Sequence, residues 1–177
     1  MARWPMVARG RGLQTVAIMT EPNPDHELAQ INIARMLAPL DSPQLAGFVA
    51  ALDPVNAAAE AADGYRWRLQ EDDGNATGFR IFEDDWLIVN MSVWRDPEAL
   101  AGYIYGPEHR PVLGRRREWF ARPAEAMTAL WWVPAGVRPT VAEAERRLRL
   151  LRAHGPTAEA FTLRETFPAP ASLPPRP

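Results

Sequence analysis

Alternation of apolar and polar residues first becomes regular over residues 28–36. There Ile31 and Ile33 share one side and Gln30, Asn32 and Ala34 the other, which predicts a strand with one apolar and one mixed face. Ser42 and Pro43 then offer an N-cap with proline in the first helical position. Leu45, Phe48, Val49 and Leu52 follow at helical spacing, predicting a helix from about Pro43 to about Ala62 with Pro54 as a candidate interruption. Residues 65–70 alternate again and run into the acidic turn 71–75, and residues 78–82 could continue that hairpin. Residues 86–94 form the strongest strand. Leu87, Val89, Met91 and Val93 make one face and Ile88, Asn90, Ser92 and Trp94 the other, unusually polar for a central strand. Asp96 and Pro97 cap a helix through Leu100 and Tyr103, and Gly106 and Pro107 restart it toward Trp119 and Phe120, with Pro111 tolerated in the new first turn. Residues 127–133 are the last core strand. Thr140 opens a charged amphipathic helix that Gly155 and Pro156 end.

This order, βαββαβ with an extra C-terminal helix and a short segment ending at Phe167, predicts a ferredoxin-like α+β fold built on one antiparallel sheet. Its two crossover helices are expected on the apolar face, leaving the other face bare, so a homodimer through that sheet face is the expected way to cover its Tyr and Trp side chains. A chain of 177 residues with 47% hydrophobic content suits one core. The expected domain spans residues 28–167. Residues 1–27 are read as a disordered or extra tail, with Met19 competing with Met1 as the start, and residues 168–177 as a disordered proline-rich tail.

Composition removes several chemistries. The sequence has no cysteine, so disulfides, thiolate metal sites and cysteine nucleophiles are excluded, and the three histidines are too scattered for a metal set. All 20 basic residues are arginine, which excludes Schiff-base chemistry and a phosphate-loop lysine. A net charge of −2 gives no general attraction for nucleic acid or anionic membranes, and the apolar run 13–19 is too short to span a bilayer. A cytoplasmic protein is expected.

Residues 93–103 with His109 resemble the strand-to-helix signature of dimeric α+β-barrel proteins such as antibiotic-biosynthesis monooxygenases. The wider pattern of residues 28–32, 48–56, 115–120 and 130–136 is similar to a bacterial family catalogued as domain of unknown function 3291, over about residues 28–167. The resemblance implies a dimeric α+β barrel and brings two chemistries with it. Heme-degrading oxygenases of the superfamily use an asparagine on the first strand, then a tryptophan and a histidine on a later helix. Asn32 and His109 match, whereas Tyr103 stands at the tryptophan position. Cofactor-free monooxygenases of the superfamily arrange Asn and Trp side chains around a polycyclic phenol.

The residues themselves supply the candidates. Gln30, Asn32, Asn90 and Ser92 converge on one sheet face, where they could line a pocket or bond one another across a dimer seam. His109 is the one histidine on a core element and the candidate base. Arg116, seven residues on, could hold a substrate anion, or else His109 caps the helix and Arg116 pairs with nearby glutamates. Trp94, Tyr103 and one of the adjacent pair Trp131 and Trp132, taken as Trp132, could wall an aromatic ligand. The expected catalytic residues are therefore His109, Asn32 and Arg116, and the substrate-binding residues Asn90, Ser92, Trp94, Tyr103 and Trp132. The expected function is cofactor-free oxidation or isomerisation of an aromatic or polyketide-like compound. The alternatives are a heme protein with His109 as axial ligand and a non-catalytic dimeric binding module.

Overall fold

The two longest alternating runs of the sequence become the two central strands. A computed structural model describes residues 24–71 and 76–171. Its elements are β1 (His26–Arg35), α1 (Ala46–Ala61), β2 (Tyr65–Arg68), β3 (Leu87–Trp94), α2 (Pro97–Ile104), α3 (His109–Trp119), β4 (Thr128–Pro134) and α4 (Val141–His154). The four-stranded sheet has the order β2-β3-β1-β4 with every neighbouring pair antiparallel. This is the expected ferredoxin-like α+β fold with an added C-terminal helix. None of the helices among the described residues is long and apolar enough to cross a membrane. The proposed start at Met19 lies outside the described residues.

Local chemistry explains most boundaries. The Asp96 carboxylate accepts from the Ala99 amide at 2.7 Å, with Pro97 at the first position of α2. The Thr140 hydroxyl accepts from the Glu143 amide at 3.1 Å, and Gly155, at φ 71°, ends α4 in a conformation few other residues adopt. Three boundaries differ from expectation. Helix α1 starts at Ala46 because residues 42–45 form a turn in which the Leu45 amide donates to Ser42 O, and it runs through Pro54 at the cost of one missing amide donor. Residues 78–82 are not a strand: Phe82 and Glu83 sit at φ 55° and 54°, turning the chain over the sheet. His26, assigned to the tail, is the first residue of β1 and lies opposite Pro134.

The larger correction concerns the two sheet faces. Leu28, Trp94 and Leu130, from the mixed face, pack with Ala59 of α1 and with Ala99 and Leu100 of α2. The crossover helices thus cover the face that carries the polar residues. The fully apolar face, with Ala29, Ile31, Ile33, Val89, Met91, Val93, Trp131 and Val133, is buried under Ala144, Leu148 and Leu151 of α4 and under Phe79, Ile81 and Phe82. Trp131 and Trp132 point to opposite faces, as adjacent strand residues must. Both layers come from one chain, so the mixed face that was expected to be bare is covered by α1 and α2 around Trp94, and the apolar face by α4. The physical reason is that the amphipathic stripe of α4 needs an apolar surface and finds it on its own sheet. Glu145 of α4 accepts the Phe82 amide at 2.9 Å, and Arg149 and Arg152 place their guanidinium groups 4.8 and 4.6 Å from the centre of the Phe82 ring.

Candidate functional site

Antiparallel register turns the mixed face into rows of side chains about 6.8 Å apart, two residues per step. One end row is Trp94, Leu28 and Trp132, and the next is Ser92, Gln30 and Leu130. Both are closed. Trp94 is 1% exposed and its indole N–H donates to the Ser92 hydroxyl at 2.8 Å, which in turn donates to the Gln30 carbonyl oxygen at 2.8 Å. This chain satisfies the polar atoms that would otherwise penalise burial. The third row, Asn90, Asn32 and Thr128, is different. Both asparagines are exposed although they lie on the face that α1 and α2 cover elsewhere. The Asn32 amide donates to the Thr128 hydroxyl at 2.7 Å, and Asn90 lies opposite Asn32 on β3. At this level the helices leave the sheet uncovered, and the polar row faces solvent.

At the closed end the aromatic rings continue into the helices. Tyr103 of α2 stacks on Trp94 at 5.1 Å and 23°, and its hydroxyl donates to Val55 O at 3.1 Å. Burial pushes the Tyr103 phenol up to about 12, against a smaller opposing pull from Arg68. His109, the first residue of α3, packs on Tyr103 at 5.0 Å, with its Nδ1 3.1 Å from Ile104 O. Since a carbonyl can only accept, Nδ1 carries the proton and Nε2 keeps its lone pair. Burial lowers the His109 pKa below its ordinary 6.5, with the bond to Ile104 opposing. The imidazole is neutral at neutral pH, the state a base needs.

The family model described as Domain of unknown function (DUF3291) matches residues 27–176. The chain belongs to that family. No curated protein matches the sequence. Among solved structures, this member of the family is similar to Rv0793 from Mycobacterium tuberculosis at 19% identity and TM-score 0.41, covering 64% of this chain and 98% of that one. PA3566 from Pseudomonas aeruginosa gives 14% identity and TM-score 0.43, covering 65% and 99%. SnoaB, a cofactor-independent oxygenase from Streptomyces nogalater, gives 18% identity and TM-score 0.37, covering 66% and 96%.

The predicted site residues separate into three groups in this family member. Asn32 and Asn90 come together on the open row. Trp94, Tyr103 and His109 come together at the covered end, while Ser92 is consumed in the buried chain to Gln30. Arg116 and Trp132 stand apart. Arg116 is exposed and donates to Leu113 O of its own helix at 3.0 Å, and seven residues of helix set it about 10.5 Å along the axis from His109. The Trp132 indole donates to Phe167 O at 2.8 Å and its ring packs on Phe161, so the C-terminal segment occupies it. Sequence reasoning missed Thr128, whose place beside Asn32 depends on the β1–β4 register, and Trp86, which remains 45% exposed beyond the start of β3.

Proposed function

We propose that the protein is a small-molecule enzyme that removes a proton from an aromatic or polyketide-like compound without a cofactor, for oxidation or isomerisation. The observation that carries this reading is the open Asn32–Asn90 row on a sheet face that helices close elsewhere. Ligand oxygens would hydrogen-bond the two amides, and His109 Nε2, which lies toward the covered end from that row, would take the proton from the ligand's anchored edge. The aromatic π-system then delocalises the resulting carbanion. In the oxidation, a ring-flanked CH2 takes up O2 and leaves as a carbonyl with one water. In the isomerisation, the proton returns to another carbon. Neither route asks for a second copy of the chain.

Oxygen-electrode measurements on a panel of hydroxylated polycyclic compounds test it. The expected result is O2 uptake that falls at least a hundredfold in His109→Gln, with KM raised in Asn90→Ala. Uptake unchanged in His109→Gln would remove His109 from the chemistry. The fixed Nδ1–H bond to Ile104 O also favours a second reading, because it aims Nε2 as an axial heme ligand is aimed. A Soret shift on adding hemin, lost in His109→Gln, would favour heme instead.

A further inference from the structure

The open part of the mixed face does not end at the asparagines. Beyond them lie Ile88 and Ala34, paired across β3 and β1, both half-buried. One step further, the Met36 amide donates to Trp86 O at 2.9 Å, so the ladder register extends by one residue on each strand past its named end. Met36 also bridges Phe120 on its other side. By the two-residue period, Trp86 shares the face of Ile88 and Asn90, and Met36 that of Asn32 and Ala34. Phe120 agrees, since it packs edge-on against Phe48 of α1 at 4.9 Å. This stretch of the sheet face therefore runs from a polar row, over an aliphatic row, to an aromatic end about 13–14 Å away.

Trp86 is held for such a role. Its amide donates to the Asp84 carboxylate at 2.9 Å while its carbonyl accepts from Met36, which fixes the backbone at both sides. Yet the indole is 45% exposed, which forgoes burial that a tryptophan normally gains. The Arg68 cation, opposite Ser92 on this face, is engaged by Glu60 at 2.7 Å. Charge therefore offers a ligand little at this face, whereas amides and an aromatic surface offer much.

We infer that Trp86 is the specificity-determining aromatic wall of the open row. It selects flat, uncharged compounds of about three fused rings whose hydroxyl or carbonyl edge reaches Asn32 and Asn90. The inference rests on the reading of the open row as a ligand site and adds how long the ligand is. A one-ring compound anchored on the amides falls short of Trp86. A three-ring compound reaches it.

Equilibrium binding of 2-anthrol, whose hydroxyl stands at one end of three fused rings, and of phenol to the full chain separates the two claims. The expected result is that Trp86→Ala weakens 2-anthrol about tenfold and phenol less than twofold, that Trp86→Phe recovers most of the loss, and that Asn32→Ala/Asn90→Ala weakens both probes. If the amide variant weakens 2-anthrol but Trp86→Ala does not, the wall is wrong and the open-row site stands. If 2-anthrol fails to bind the wild-type chain, or binds it independently of the asparagines, both are wrong. Trp86 is a surface residue outside the packed clusters, so its loss should leave the melting temperature within a degree or two.

Discussion

The two faces of the same sheet are built to different ends. The α4 face is closed from Ala29 to Ile33 on β1 and from Val89 to Val93 on β3, and its residues are apolar without exception across that stretch. The mixed face is closed at the Trp94 end and open at the Asn90 end. The same backbone geometry thus supports a core on one side and a half-covered face on the other. The difference is carried by which side chains the alternation sends to each face. Stability should reside in the first face and ligand recognition in the open half of the second.

The largest expected effect that could break this division is in the closed face. Trp131→Ala should destabilise the chain by about 3–5 kcal/mol in urea melts, because the ring is fully buried among Ala29, Val133 and the α4 residues. Asn90→Ala should change stability by no more than about 0.5 kcal/mol while weakening ligand binding. Equal losses from both variants would erase the distinction between the faces. A smaller effect tests how the closed face is held. Glu145→Ala removes the acceptor of the Phe82 amide and should cost about 1 kcal/mol, with amide exchange at residues 79–83 accelerating before that of β1.

The smallest effect is a pH dependence. Because burial depresses the folded pKa of His109 below 6.5, protonation favours the unfolded chain. Its neutral form contributes fully above about pH 6.5, and that contribution is lost as the pH falls through the lowered folded value. The melting temperature of the wild-type chain should therefore drop more between pH 7.5 and pH 5 than that of His109→Gln. Parallel curves would place His109 in a solvated setting instead.

Much of this architecture was legible because it is local. The alternation in residues 28–36 and 86–94, the Asp96 and Thr140 caps and the Gly155 stop each act within a few residues, and each reappears in the structure. What was not legible is tertiary. Nothing local in residues 28–36 says which helices cover which face, and the assignment depended on treating α4 as an appendage when it covers the apolar face. For the site, the pairing of Asn32 with Asn90 followed from strand parity alone. The loss of Ser92 to Gln30, and of Trp132 to Phe167, required the register and the path of the C-terminal segment. Trp86 was visible as the first residue of a strand, but its exposure was not.

The central claim is that the open half of the mixed face is where a ligand binds. Its most direct test is a titration of the isotopically labelled chain with 2-anthrol, followed by NMR of the Asn side-chain amides and the indole N–H groups. The account predicts shifts at the Asn32 and Asn90 amides and at the Trp86 indole, with the buried Trp131 indole unmoved. Shifts confined instead to the groove of about 540 Å³ between α1 and α2, near Gly102 and Gly106, would contradict it.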